Sequence, residues 1–340
     1  MEAYINGIGM VSPQGIYNRL QFERELILPV NGRFRVNDPG YKNYIDPKLS
    51  RRMSKVIKMG VSAAKICMED AGVSMPGSIL VGTGLGCMED TEAFLSELIR
   101  NKEQLLTPTA FIQSTHNTVA AQIALMIKCH EVNFTYVHRG FSFELALQDA
   151  MMQLAEGTNN ILVGGVDELT ADTLHILKRF GLLKDENEGV FGEGAAFFVL
   201  DNKRTDHTCC RLLQVETLLN PVSPDEASAL VKRTLNRAGL EMDELDLVVT
   251  GMSGEYVNDQ VFIHLFKNVF PGSGMVNFKQ VCGEYHTAAS FGLGMAAGML
   301  LHQRIPFTVI CQPPGKDIKN LLLYNQFSGT HHAAYLLQAC

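Results

Sequence analysis

At 340 residues the chain has room for two domains of ordinary size or one large duplicated unit, and either can bury a substantial core. With 46% hydrophobic and 19% charged residues it has the composition of a soluble globular protein, which excludes disordered and collagen-like chains. A net charge of -7 repels phosphates and argues against a nucleic-acid partner.

In chain order, residues 2–9 alternate and end in glycine, as an opening strand does, and Val11-Ser12-Pro13-Gln14-Gly15 reads as a turn. Residues 31–50, rich in Asn, Asp, Gly, Pro and Tyr, read as a loop. The spacing of Val56, Met59, Ala63, Ala64, Ile66 and Cys67 predicts a helix over 54–71 that stops at Gly72. Arg51, Arg52, Lys55 and Lys58 form the one basic cluster, read as a solvated helix face, with a docking patch for an acidic carrier as the alternative. A short buried strand, Ser78-Ile79-Leu80-Val81, runs into Gly82-Thr83-Gly84-Leu85-Gly86, which lacks the Lys and Ser/Thr of a phosphate loop. Residues 90–101 form a helix, Thr107-Pro108-Thr109 breaks the chain, and 116–128 form a second, very apolar helix whose start His116 and Asn117 would satisfy.

Next comes a strand, Asn-Phe-Thr-Tyr-Val at 133–137, that turns through His138, Arg139 and Gly140 into an apolar helix reaching Leu154. A strand, a sharp turn and a buried helix commonly present a nucleophile, because the helix dipole favours an anion there; here the residue at the tip is glycine. Ser142, two residues on, reads as a helix cap or packed hydroxyl, since the stretch is not a nucleophile elbow. Residues 160–165 form a buried strand, 181–189 a loop, and 191–200 a glycine corner feeding another strand. The second half repeats this plan. A helix over 229–239 and the strand Val248-Val249-Thr250-Gly251 echo 54–72 and 80–82; His286-Thr287-Ala288-Ala289 echoes the helix start at 116–121; strand 307–311 is matched to 161–164. Two similar α/β halves packed together are therefore expected, with a boundary near 201–206.

Eight cysteines occur singly apart from Cys209-Cys210, without Cys-x-x-Cys spacing, so neither a metal site nor a disulfide framework is expected, no cofactor is called for, and a reducing cytoplasm fits best. The first residues lack the features of a secretory signal, and no apolar run reaches the roughly 18 to 20 residues that span a bilayer, so no membrane partner is expected.

Taken together, these motifs resemble the β-ketoacyl synthases of the thiolase fold. The resemblance rests on the glycine corner at 82–86, Pro108-x-x-Phe111 followed by His116-Asn117-Thr118, the strand-turn-helix at 133–154, Val163-Gly164-Gly165-Val166-Asp167-Glu168 and Phe191-Gly192-Glu193-Gly194-Ala195. In the second half it rests on Asp259, Lys279-x-x-x-Gly283, the helix from Ala288 and Phe327-Ser328-Gly329-Thr330. It implies an α/β, thiolase-like duplicated five-layer α-β-α-β-α fold, with ketosynthase-like halves at 1–203 and 204–340.

That family condenses an acyl thioester with a malonyl-carrier thioester. A cysteine thiolate at the helix N-terminus takes the acyl group, and two histidines stabilise the enolate-like charge left by decarboxylation. Counting back from Asp149-Ala150, the nucleophile position falls on Gly140. Counting back from Asp259, the first histidine position falls on Gly251, and counting on from Lys279 the second falls on Glu284, whose carboxylate would oppose an enolate. Of the catalytic set only Lys279 remains. The resemblance is thus to the chain-length-factor-like subunits of bacterial type II polyketide, aryl-polyene and related systems. It implies a noncatalytic subunit whose partners are an active β-ketoacyl synthase and an acyl carrier protein, as a heterodimer or homodimer paired through strand 133–137.

Candidate substrate contacts are His138, Arg139 and Phe327, the last resembling the family's gating phenylalanine although Ser328 replaces a flanking glycine. Arg139 also reads as half of an internal ion pair with Glu284 or Asp167. An enzyme reading competes: Cys282, Glu284 and His286, two apart in an extended segment, would point to one side, and Cys282 with His286 could attack an acyl-carrier thioester as a repurposed acyltransferase or thioesterase. The plainer reading of Cys282 is a small buried hydrophobe. A scaffold dimer without an acyl tunnel is a third possibility.

Overall fold

The computed structural model describes residues 3–21, 27, 29–30, 32–181, 190–270, 272–306, 309–315 and 317–340. The loop expected at 181–189 therefore lies, apart from Gly181, outside the described residues, as do Phe307 and Thr308 of the strand expected at 307–311.

The chain opens with strand β1 (Ala3–Ser12), which hairpins onto β2 (Gly15–Tyr17), and a short helix α1 (Pro47–Ser50) capped by the Asp46 side chain. Helix α2 (Lys55–Ala71) ends where Gly72, at φ 67°, takes the left-handed conformation that closes the last turn. Its buried row of Val56, Ile57, Met59, Val61 and Ile66 packs on the sheet, each large side chain contributing about 1.5–3 kcal/mol. Strand β3 (Ser78–Gly82) is buried throughout, as a central parallel strand must be. Helix α3 (Met88–Arg100) and α4 (Pro108–Gln113) follow; the Pro108 that seemed to break the chain instead starts a helix, since its missing N–H costs nothing in a first turn. Then come α5 (Thr118–Ile127), two residues shorter at its start than expected, and β4 (Val132–Tyr136). Asn117 stands at the start of α5, but its side chain makes no capping hydrogen bond there.

A single 3-10 turn over Arg139–Phe141 leads into α6 (Ser142–Ala155). Strand β5 (Ile161–Asp167), α7 (Ala171–Arg179) and β6 (Gly194–Asp201) complete the first half of the chain. The second comprises β7 (Cys210–Leu219), α8 (Pro224–Ala238), β8 (Leu247–Thr250), α9 (Tyr256–Asn268), β9 (Gly274–Asn277), α10 (Lys279–Cys282), α11 (Ala288–His302), β10 (Ile310–Gln312), β11 (Asn320–Phe327) and β12 (His331–Gln338).

The strands run β10-β9-β8-β11-β12-β7-β1-β6-β5-β3-β4, with β1 and β7 joining two five-stranded units of the same plan. In each unit three parallel strands, β4-β3-β5 or β9-β8-β11, are followed by two antiparallel ones. This topology corrects the sequence-level matching. The counterpart of β5 is β11, not the strand near 307–311, because each lies parallel to the middle one of its unit's three parallel strands, β3 or β8, on the side away from β4 or β9. The counterpart of α11 is likewise α6, which holds the same place between the second and third parallel strands.

Three apolar clusters divide the layers. One packs α2 and α5 on the outer face of the first unit, and another packs α8 and α9 on the outer face of the second. The largest lies between, where α6 and the largely apolar α11 are buried from both sides. The layers are therefore helix, sheet, helix, sheet, helix, the thiolase-like arrangement. Among the described residues no helix is long and apolar enough to cross a membrane.

Candidate functional site

The site lies in the middle layer, where the N-terminal end of α6 meets the turn between β11 and β12. The turn is held locally: Ser142 Oγ accepts the His138 N–H at 2.8 Å and donates to the Arg139 carbonyl at 2.8 Å, and Phe141 N–H donates to the His138 carbonyl at 3.0 Å. Arg139 sits at φ 48° and is exposed. Gly140 is buried at the tip, and its space is already taken. A Cβ there would lie 2.7 Å from Phe327 Cβ and 3.0 Å from His331 Cβ. Phe327 and His331 are paired across the β11–β12 hairpin, so both reach the same face of the sheet. Phe141 packs edge-on against His331, with ring centroids 4.6 Å apart, and Phe327 lies 4.5 Å from His286.

Gly251, at the end of β8, is filled in the same way. A Cβ there would come within 2.3 Å of Asn325 Oδ1 and 3.1 Å of the Phe278 ring. Asn325 projects on the same sheet face as Phe327, two residues along the strand. Its Oδ1 is buried and has no hydrogen-bond partner among the described residues.

Glu284 points its carboxylate at the remaining member of the set. Lys279 Nζ, 2% exposed, donates to Glu284 Oε2 at 2.8 Å and to the Gln326 carbonyl at 2.6 Å. Burial raises the Glu284 pKa, and Lys279 opposes that rise. A buried lysine cannot stay charged without such a partner. The glutamate thus neutralises Lys279, and Glu284 Oε1 is left without a hydrogen bond among the described residues.

This geometry corrects two readings. Arg139 forms no ion pair with Glu284 or Asp167. It is exposed, Glu284 is taken by Lys279, and Asp167 accepts from Thr83 Oγ1, Gly84 N–H, Thr287 N–H and Thr287 Oγ1 at 2.8–3.0 Å. Nor do Cys282, Glu284 and His286 share an extended segment. Cys282 ends α10, and Gly283 at φ 77° turns the chain after it. The Cys282 thiol is fully buried and directed at the Gly283 carbonyl, 3.3 Å away, and burial pushes its pKa well up, so it carries no thiolate at neutral pH. His286 is held below the ordinary imidazole value by burial, with Asp167 opposing and Arg139 reinforcing.

Two residues that sequence reasoning left aside, and one that it offered only as a partner of Arg139, belong to this cluster. His331 could have been found from the hairpin: a turn of Ser328, Gly329 and Thr330 between two strands sets residue 331 opposite 327. Glu144, one turn into α6, is wholly buried, and burial pushes its carboxyl up to about 7. The Tyr335 hydroxyl lies beside it without hydrogen-bond geometry, and it and Lys279 pull the other way. Nothing in the sequence flags Glu144, because an acid at that helical position reads as surface. Asp167 is the third: its four hydrogen bonds tie the glycine corner after β3 to the start of α11.

Among the described residues no cluster of His, Cys, Asp and Glu could hold a metal ion. An apolar cavity of about 30 Å³ lies between β1 and α11, lined by Ile8, Met10, Tyr17, Phe291 and Met295.

Residues 36–177 match the family model described as the N-terminal domain of beta-ketoacyl synthase. No curated protein matches the chain. Solved structures match it end to end. The ishigamide ketosynthase/chain length factor superposes with a TM-score of 0.81 at 17% identity. A type II polyketide acyl-carrier protein in complex with its ketosynthase, AntDE:AntF, gives 0.79 at 14%. A beta-ketoacyl synthase from Burkholderia phymatum gives 0.77 at 16%. Each alignment covers 100% of this chain and 99% of the other. The chain has the thiolase-like fold of these structures, and residues 36–177 resemble a β-ketoacyl synthase N-terminal domain.

Proposed function

We propose that this chain is a noncatalytic, chain-length-factor-like subunit of a bacterial type II polyketide, aryl-polyene or fatty-acid-like system. It pairs in the cytoplasm with an active β-ketoacyl synthase and serves chains tethered to an acyl carrier protein. The observation that carries this reading is the filled nucleophile position: Phe327 and His331 stand where a side chain on residue 140 would go. Likeness to a ketosynthase/chain length factor and to a carrier–ketosynthase complex supports the choice of partners. The exposed edge strand β4, with Val132 and Phe134 on the surface, supports pairing through strand 133–137.

The rival hydrolase or acyltransferase would need a Cys282 thiolate, which the buried thiol opposes. Co-expression with a ketosynthase of the same system tests the proposal. A stable complex is expected, with a changed product length when this chain is removed. Absence of a complex overturns it, and a complex whose removal leaves product length unchanged leaves only the scaffold dimer.

A further inference from the structure

A cleft of about 350 Å³ opens beside the turn that follows β1, and none of the residues lining it belongs to the site around Gly140. One wall is apolar, made by Pro13, Ile27 and Val30, and the other carries Arg33, Arg35 and Asn37. Among the described residues no acid lines it.

Both walls are pinned. The Gln14 side chain, 4% exposed, donates to the Ile27 carbonyl at 2.8 Å and to the Val281 carbonyl at 2.7 Å, and it accepts the Ile27 N–H at 2.6 Å. Val30 and Arg33 exchange two backbone hydrogen bonds of 3.1 Å. Beyond them, Phe34 N–H donates to the Phe191 carbonyl at 2.8 Å, and Val36 N–H donates to the buried Glu193 carboxylate at 2.8 Å. Phe34 and Val36 are buried while Arg33, Arg35 and Asn37 are exposed, so alternate residues of this anchored segment face the cleft.

The two guanidiniums find no counter-charge among the described residues, where neither makes an ion pair. The acids close by in the chain or the fold are committed elsewhere. Asp38 accepts the Gly40 and Tyr41 N–H groups at 2.8 and 3.0 Å, and Glu193 holds Val36, Leu169 and Lys55.

We propose that this cleft binds a small amphipathic dianion, its apolar body against Pro13, Ile27 and Val30 and its charged head between Arg33 and Arg35. Two positive charges on one wall call for two negative ones on the ligand, and a lone carboxylate would leave one guanidinium unanswered. The volume stands at the lower end of small-molecule pockets and suits a body of one ring or a short chain. A phosphate monoester and a dicarboxylate share this chemistry: the planar guanidinium fork grips either, and the Asn37 amide adds donors. The site is independent of the pairing with a ketosynthase.

Calorimetric titration of the full chain with phenyl phosphate and with phenylsuccinate at about pH 7.5, where both are dianions, tests the site. Saturable binding of at least one is expected, and the tighter of the two names the source. Inorganic phosphate and benzyl alcohol each carry one half of the ligand and are expected to bind at least about tenfold more weakly. The variant carrying Arg33→Gln and Arg35→Gln keeps the backbone hydrogen bonds of the segment and is expected to lose at least about tenfold in affinity for the bound dianion. Ile27→Gln is expected to weaken that dianion by about threefold or more and to leave inorganic phosphate unchanged. Absence of saturable binding of both dianions, an unchanged affinity in the double variant, or inorganic phosphate bound as tightly as either dianion overturns the proposal. Self-association that the double variant abolishes would assign the cleft to a second copy of the chain and overturns it as well.

Discussion

Gly140 owes its identity to its neighbours. The side-chain space in front of it belongs to Phe327 and His331, so a larger residue must push a hairpin aside. Gly140→Ala is expected to cost about 1–3 kcal/mol in denaturant unfolding, the usual range for overpacking. The chain carrying Gly140→Cys, Gly251→His and Glu284→His is expected to remain unable to decarboxylate a malonyl thioester, assayed as released carbon dioxide. Recovered activity would show that Phe327 and His331 yield. Glu144 makes a different residue-scale prediction. Its folded pKa, pushed up to about 7 from 4.5, lies above its unfolded value, so the folded chain holds a proton that the unfolded chain releases. Stability from this group is fullest below about pH 4.5 and falls by about 3 kcal/mol as pH rises through 7. Glu144→Gln is expected to flatten part of that fall, read as urea midpoints at pH 5 and pH 8. The buried Glu168, pushed to about 8, retains the remainder. An unaltered slope would show that Glu144 is not the group responsible.

At the scale of elements, β4 is one of the two edges of the sheet, opposite β10. Its backbone pairs β3 on one side and nothing among the described residues on the other. Short length is one way a natural edge avoids promiscuous pairing, yet Phe134, 54% exposed, sits at its middle where a charge would protect better. Phe134→Lys is expected to abolish self-association or partner binding in analytical ultracentrifugation. The monomer's stability should change by no more than about 0.5 kcal/mol, as for other surface positions. Unchanged assembly would rule this edge out as the interface.

Across the whole molecule, buried acids take their partners from distant segments, and one of them, Asp167, stitches the two units. Asp167 closes β5 and binds both the glycine corner of the first unit and Thr287 at the start of α11. Glu193 likewise accepts from Val36 and Leu169 N–H groups and pairs with Lys55. Asp167→Asn replaces an acceptor of four hydrogen bonds by an amide whose NH2, on either side, can be received by a threonine hydroxyl but meets the backbone N–H of Gly84 or Thr287 donor to donor. It is expected to cost about 2–4 kcal/mol while leaving one cooperative transition in calorimetry. Two separated transitions would mean that the units are held together mainly elsewhere.

Much was legible in the chain alone, because much is local. Helix ends at Gly72 and Gly239, buried strands running into glycine, and the strand-turn-helix at 133–154 follow from periodicity and backbone freedom, and those patterns with the motif order pointed to the fold. The absence of nucleophile and histidines at Gly140, Gly251 and Glu284 was likewise readable by counting within motifs. What tertiary structure decided was partnership. Whether Arg139 pairs inward with Glu284 and which second-half strand answers β5 depend on contacts between segments more than a hundred residues apart. Sequence spacing carries no information about those contacts. A lysine and a glutamate five residues apart close on each other, and a phenylalanine and a histidine from the last hairpin fill the space before a glycine near residue 140, because sheet pairing and burial bring them there.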